Sequence, residues 1–129
     1  MQATTSACPC GTGFPFAACC APYLAGIAPA PTAETLMRSR YSAYVLERSD
    51  YIRSTWHPAT CPNALNPEPG LHWLGLKIKR VEDGLEQDDH GIVEFVARSK
   101  RDGRAQRLHE TSIFERIDGN WVYVRGEAC

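Results

Sequence analysis

The chain has 129 residues, 43% of them hydrophobic, six cysteines and a formal net charge of −1. This length and composition fit one small globular domain with an appendage. The balanced charge gives no electrostatic reason to expect nucleic acid or an anionic membrane as a partner. Because neither a signal peptide nor a membrane-spanning stretch is evident in the sequence, we expect a cytoplasmic protein with reduced cysteines.

Four of the six cysteines form the pattern Cys-x-Cys-x8-Cys-Cys near the N-terminus. They are Cys8, Cys10, Cys19 and Cys20. Four thiolates suit a tetrahedral ion such as zinc or ferrous iron, and they leave no open coordination position. Disulfides are the alternative, but adjacent cysteines and cysteines one residue apart bridge only with strain. The spacing therefore predicts a structural metal site, with Gly11 and Gly13 allowing the tight turns around it.

The region around these cysteines lacks charge, since no Asp, Glu, Lys, Arg or His precedes Glu34. A divalent ion held by four thiolates has a net charge of about −2, so backbone N–H groups are expected to compensate it. A nucleic-acid zinc knuckle would need Lys, Arg and stacking aromatic residues there, so the absence of charge argues against nucleic acid as a partner. Phe14 and Phe16 are instead expected to contact protein, either a partner or the neighbouring domain.

The cysteine pattern, with its internal Gly-x-Gly, resembles the SEC-C motif, a metal-binding knuckle at the C-terminus of the SecA translocation ATPase. The resemblance covers residues 1–24. It implies a zinc site, with iron as an alternative, and contact with a secretion chaperone or the ribosome. Basic residues are usual after the second glycine of this motif, whereas Phe14 to Ala17 follow Gly13 here. An apolar partner contact is therefore expected in place of electrostatic docking.

Ala and Pro dominate the segment after the knuckle, which predicts an extended path over residues 21–31 and a linker at residues 25–31. Thr32 is a good N-cap for a helix over residues 33 to about 48. A second, shorter helix is predicted over residues 51–57, capped by Ser49 or Asp50. The following segment contains several prolines and is predicted to be a long loop.

From Leu71 the sequence is rich in β-branched and aromatic residues, which predicts strands. Their expected ranges are residues 72–81, 91–99, 104–117 and 120–125. Short turns, mostly with Asp-Gly, separate them, so neighbouring strands should be antiparallel. The expected fold is α+β, with N-terminal helices packed on one face of a four-stranded meander.

Several segments resemble the YchJ-like family of uncharacterised bacterial proteins. They are residues 31–44, 55–58, 109–114 and 121–123. The resemblance implies an NTF2-like domain over residues 32–129, in which a curved sheet wraps around helices to form a cone with a cavity. NTF2-like proteins include enzymes, ligand-binding proteins and interaction modules, so the fold alone assigns no function.

Eight residues are candidates for lining that cavity. They are Arg40, Tyr44, Trp56, His57, Trp73, His109, Glu110 and Ser112. One interpretation is a buried Arg40–Glu110 ion pair, with Ser112 satisfying the remaining hydrogen bonds. The other is a small-molecule site in which Glu110 or His109 is a general base.

The sequence contains no known catalytic motif, so a protein-interaction adaptor is expected in preference to an enzyme or small-ligand receptor. Its use would be in secretion or nascent-chain handling. Cys61 and Cys129 lie outside the knuckle spacing and are expected to be free thiols.

Overall fold

The computed structural model describes residues 7–65 and 70–128. Within them, a 3-10 turn at Phe16–Ala18 precedes three helices, which are α1 (Ala21–Leu24), α2 (Ala33–Val45) and α3 (Ser49–Ser54). Four strands follow, which are β1 (Leu71–Asp83), β2 (His90–Arg101), β3 (Arg104–Ile117) and β4 (Asn120–Ala128). Each strand pairs antiparallel with the next, so the sheet is the predicted meander.

The helix α2 begins as predicted, because the Thr32 hydroxyl accepts a hydrogen bond of 3.1 Å from the N–H of Thr35. It ends three residues earlier than predicted. Leu46 is its C-cap, and Glu47 has a φ of 57°, a left-handed conformation through which an α-helix cannot continue.

The second predicted helix is displaced toward the N-terminus. It spans Ser49–Ser54, and its N-cap is Arg48, so the expected caps Ser49 and Asp50 are wrong. The segment after it pairs with β4 instead of continuing the helix. Tyr123 donates its N–H to the Thr55 carbonyl and accepts from the N–H of His57, each at 2.8 Å. Hydrogen bonding to the sheet edge therefore decides where the helix stops.

The predicted extended path over residues 21–31 is wrong at its start, where α1 forms. Cys20 is its N-cap, and the Cys20 carbonyl accepts from the N–H groups of Tyr23 and Leu24. Proline is tolerated in the first turn of a helix, so Pro22 does not prevent it. Leu24 is buried beside Ala43 and Ile52, and this packing favours the compact turn.

The main core lies between α2 and one face of the sheet. Its buried residues from these elements include Leu36, Met37, Tyr41, Val93, Phe95, Phe114 and Trp121. Irregularities in the strand register occur in β1 and between Ile113 and Phe114, and such bulges bend a sheet. The α+β class with helices on one sheet face is confirmed. No helix in these described ranges is long and apolar enough to cross a membrane.

The N-terminus of α2 contacts the connection between β1 and β2. The N–H of Ala33 donates to the Gly84 carbonyl at 2.9 Å. A Cβ atom on Gly91 would lie 2.6 Å from the Gly84 Cα and 3.0 Å from the Ala33 Cβ. Glycine is thus required at residue 91 by close packing.

We expect Gly91→Ala to lower the free energy of unfolding by about 1–3 kcal/mol, because the methyl group must displace backbone atoms. Urea unfolding measures this change. Gly75→Ala is the matched control, since it lies in the same sheet and its Cβ would meet nothing within 4 Å. Equal losses in the two variants would contradict the packing argument.

Candidate metal centre

The four cysteines of the predicted site converge in the structure. All four sulfur atoms lie within 4.8 Å of one another. The Cys10 and Cys19 sulfurs are 3.6 Å apart. A regular tetrahedral site with metal–sulfur bonds of about 2.3 Å places its sulfurs about 3.8 Å apart. The cluster therefore has the donors and the dimensions to hold a metal ion.

A short loop brings the two cysteine pairs together. Ala7 and Pro15 form an antiparallel bridge, and the N–H of Cys8 donates to the Phe14 carbonyl at 2.8 Å. Gly11 and Gly13 have φ values of 87° and 86°. Glycine adopts such left-handed conformations without strain, so the chain can turn between the two halves.

The thiols of the cluster differ in acidity. The pKa of Cys10 is lowered to about 4, chiefly because the Cys20 thiol donates to its sulfur. The same hydrogen bond, followed by burial, raises the pKa of Cys20. Burial also raises the pKa of Cys19. A thiophilic divalent cation among the sulfurs would favour the ionised form of Cys19 and Cys20 against these raised pKa values.

Polar side chains also lie near the sulfurs, in addition to the backbone N–H groups expected there. The Thr12 hydroxyl lies 3.2 Å from the Cys19 sulfur. Arg38 of α2 donates to the Cys10 carbonyl at 2.8 Å, and the Ser42 hydroxyl lies 3.6 Å from the Cys8 sulfur. Arg38 and Ser42 are four residues apart, so one helix face supplies both. The sequence showed that spacing, but not that the knuckle covers this face.

The knuckle packs against the body of the protein. Cys8, Cys10 and Cys20 are between 0% and 4% exposed and belong to the main hydrophobic cluster. Phe16 contacts both hydrophobic clusters, whereas Phe14 is 63% exposed. Of the two phenylalanines expected to contact protein, one is thus committed to the neighbouring domain and one faces outward.

The predicted ion pair between Arg40 and Glu110 is absent from the described structure. Arg40 is 3% exposed, and its Nη1 donates to the Ile52 carbonyl and the Thr55 hydroxyl, each at 2.8 Å. Its guanidinium lies between two aromatic rings, 5.0 Å from the centre of Trp56 and 4.7 Å from that of Tyr123.

The buried arginine is therefore satisfied by α3 and by aromatic faces. Glu110 is connected to Arg40 through Tyr123, whose ring contacts the guanidinium. It accepts a hydrogen bond of 2.7 Å from the Ser112 hydroxyl and one of 3.4 Å from Tyr123.

The other candidate pocket residues are dispersed. His109 points away from Glu110, as strand alternation predicts, and its Nε2 lies 2.6 Å from a carboxylate oxygen of Glu94. This hydrogen bond lowers the pKa of Glu94. Trp73 packs against Tyr41 and Tyr44, with ring centres 5.7 and 6.1 Å apart. His57 accepts at Nδ1 from the N–H of Ala59. Arg40, Trp56, Glu110 and Ser112 thus cluster around Tyr123, whereas the side chains of His57 and His109 have other partners.

A cleft of about 580 Å³ lies between α3, the loop after it and β4. Of the eight candidates, Trp56 lines it, together with Arg53 and Cys61. The indole Nε1 of Trp56 is buried and has no hydrogen-bond partner among the residues described here. Cys61 is a free thiol, as predicted, 3.8 Å from an Arg53 nitrogen. Cys129 lies outside the described residues.

Comparisons with known proteins identify the same family over nearly the whole chain. The family model of the middle NTF2-like domain of YchJ matches residues 32–126. A UPF0225 protein of Chromobacterium violaceum is 56% identical over 125 residues, which cover 94% of this chain and 92% of that protein. A UPF0225 protein of Ralstonia nicotianae is 52% identical over 138 residues, covering 97% of this chain and 93% of that one.

Two solved structures share the fold. The solution structure of a SEC-C motif containing protein from Rhodopseudomonas palustris has a TM-score of 0.84 at 34% identity, over 96% of this chain and 99% of that one. The crystal structure of a SEC-C motif containing protein from Psychrobacter arcticus has a TM-score of 0.78 at 30% identity, over 97% and 84%. The family match and these relatives together cover nearly the whole chain. The chain therefore belongs to the YchJ-like family, and its NTF2-like domain follows a SEC-C cysteine knuckle.

Proposed function

We propose that this protein is a cytoplasmic, non-enzymatic adaptor that contacts another protein through a zinc-stabilised knuckle. Two observations support a metal ion in the knuckle, which we propose is zinc, with ferrous iron as the alternative. The four sulfurs lie within 4.8 Å of one another, and the structural relatives are described as SEC-C motif proteins. Four thiolates fill a tetrahedral coordination sphere, so the ion would have a structural role and bind no substrate.

The observation that most favours protein contact is the exposure of Phe14. This side chain is 63% exposed in a loop whose backbone is fixed on both sides. Its carbonyl accepts from Cys8, and its N–H donates to the Thr12 hydroxyl at 3.3 Å. A rigid aromatic residue loses little entropy on binding, which is why such residues are frequent binding hot spots.

The partner we propose is a protein of secretion or nascent-chain handling, such as a secretion chaperone or a ribosome-associated protein. This part of the proposal rests on analogy with the SEC-C motif of the SecA ATPase. The apolar residue at the tip favours a contact with little dependence on salt.

The test measures binding of the zinc-loaded protein to a purified secretion chaperone and to ribosomes. Phe14→Ala is expected to weaken binding to whichever of these two partners the protein binds by about tenfold or more, as hot-spot truncations do. Ile27→Ala is the control, because Ile27 is another apolar residue and is 80% exposed. Equal losses in the two variants, or a steep salt dependence, would place the contact elsewhere.

The Thr12 hydroxyl gives a test of the metal site itself. Thr12→Val keeps the side-chain shape but removes the group that lies 3.2 Å from the Cys19 sulfur. We expect the affinity for added Zn²⁺ to fall by about tenfold, the usual scale for losing a hydrogen bond to a ligand. Competition with a chromophoric chelator measures it. Thr60→Val makes the same change far from the sulfurs, where the hydroxyl donates to the Val124 carbonyl, and should leave the affinity unaltered.

A second candidate function, small-ligand binding or catalysis, is favoured by the cleft beside Trp56. Its volume of about 580 Å³ is within the range of ligand pockets, and the indole N–H has no acceptor in the described structure. A fragment screen followed by NMR tests this candidate. A bound ligand should shift the Trp56 indole resonance and leave that of Trp121, which already donates to the Pro31 carbonyl, in place.

A further inference from the structure

Four basic side chains gather on the sheet, on three adjacent strands. They are Lys77 and Lys79 of β1, Arg98 of β2 and Arg107 of β3, and we call them the basic sheet face. Together they line a shallow depression of about 280 Å³, and no acidic side chain lines it. All four side chains are exposed. The depression is therefore an accessible surface with a strongly positive charge.

The arrangement of these cations is costly to the fold. Arg98 and Arg107 are directly opposite in the register of β2 and β3. Like charges in such cross-strand positions destabilise a sheet. The salt bridges found in residues 7–65 and 70–128 join other groups, and none includes a member of the basic sheet face. The repulsion is thus left without a carboxylate that would offset it.

The net charge of −1 conceals a separation of charge along the sheet. The connection between β1 and β2 is acidic, with Glu82, Asp83, Glu86, Asp88 and Asp89 within eight residues of sequence. The strand register places this connection at the opposite end of the sheet from the β2–β3 turn, because Asp83 pairs with Gly91 while Leu71 pairs with Arg101. The argument that a balanced net charge disfavours nucleic acid therefore does not apply to this face.

We propose that the basic sheet face binds the phosphate backbone of nucleic acid. Cations on neighbouring strands recur at about 4.8 Å, and alternate residues of one strand at about 6.7 Å, so the face is an array suited to repeated negative charges. Arg98 and Arg107 supply planar guanidinium groups, which recognise phosphate in a bidentate geometry.

The same surface is poorly suited to an acidic polypeptide. The four cations extend across β1, β2 and β3, so most of the charge lies away from the β1 edge at which a peptide strand could pair. Its depression is shallow and lacks the buried anchor pocket of a protein hot spot. No aromatic residue lines it, so bases are not stacked and binding is independent of sequence.

Fluorescence anisotropy with a labelled RNA of about 20 nucleotides tests the proposal, between about 50 and 200 mM salt. DNA of the same sequence, single-stranded and duplex, identifies the preferred form. The variant R98Q/R107Q removes two cations from the face. We expect its affinity for single strands to fall by about tenfold or more and its logarithmic salt slope to decrease by about 1.4.

Two further variants separate this effect from simpler explanations. R48Q/R53Q makes the same change in net charge at α3, on the helical side of the sheet, and should alter RNA affinity by less than about twofold. K77Q/K79Q removes two cations from β1 and should reproduce the loss seen in R98Q/R107Q, which excludes a local defect in β2 or β3.

Several outcomes would overturn the proposal. These are absence of RNA binding by the wild type at the lowest salt, or equal losses in R98Q/R107Q and R48Q/R53Q. The same binding measurement is made with polyglutamate and with phosphatidylglycerol vesicles, which represent an acidic protein and a membrane surface. If either bound the wild type as tightly as RNA did and lost affinity in R98Q/R107Q, the face would belong to an acidic protein or a membrane surface.

Discussion

Replacement of Cys10 by Ser is expected to destabilise the whole protein and not the knuckle alone. Cys10 is fully buried in the main hydrophobic cluster, and its carbonyl accepts from Arg38 of α2. Structural zinc sites have apparent binding free energies of roughly 10–16 kcal/mol, comparable with the stability of an entire domain. We expect a loss of about 3 kcal/mol or more, which lowers the Tm of a chain this size by about 10 °C.

Thermal melts measure the loss of stability, and amide NMR spectra show which residues it affects. Amides of α2 beneath the knuckle, such as Leu36 and Ser42, should shift together with those of the knuckle. Those of Val93 and Phe114 should shift less, because strand pairing on both sides holds their backbone.

A chelator should reproduce these changes in the wild type and add little in Cys10→Ser. Cys61→Ser is the control, since Cys61 is a free thiol outside the cluster. A Cys10→Ser protein that melted with the wild type would show that no metal stabilises the fold.

Replacement of Arg40 by Ala is expected to lower the free energy of unfolding by about 3–5 kcal/mol. The change removes a large buried side chain, the donor to the Thr55 hydroxyl and one of two donors to the Ile52 carbonyl. Arg40→Lys should recover only part of the loss, because an ammonium group cannot lie flat between the rings of Trp56 and Tyr123. Denaturant unfolding of the two variants measures both effects.

Double-mutant cycles distinguish the partners of Arg40. Arg40→Met combined with Thr55→Val should show a coupling free energy, because the two side chains form a hydrogen bond of 2.8 Å. Arg40→Met combined with Glu110→Gln should be closer to additive, since no ion pair joins those residues in the described structure. A larger coupling free energy with Glu110 than with Thr55 would instead support the Arg40–Glu110 ion pair expected from the sequence.

Features that depend on local pattern were predictable from the sequence. Cysteine spacing indicated which four sulfurs would converge, and Thr32 marked the start of α2 because capping involves only neighbouring residues. Alternating β-branched and aromatic residues, with short turns between them, predicted the four-stranded meander. These signals are short in range, so the sequence contains them almost completely.

Features that depend on which surfaces meet were not predictable. The helical period showed that Arg40 lies beside an apolar stripe, but not that this edge of α2 faces α3 and β4 instead of Glu110. Arg38 reaches Cys10 across 28 residues of sequence, although the knuckle itself contains no charge. The gathering of Lys77, Lys79, Arg98 and Arg107 on one side of the sheet likewise follows from strand pairing, which the net charge cannot show.

The hydrogen bond between Trp121 and Pro31 has a consequence for the order in which this protein can fold during translation. It joins residues 90 apart, and Trp121 belongs to the same buried cluster as Cys8 and Cys10. A ribosome therefore releases the cysteines long before it has made the strand that completes their burial. During that interval the sulfurs are open to oxidants and to metal ions, so early metal capture would protect the nascent chain against disulfide formation.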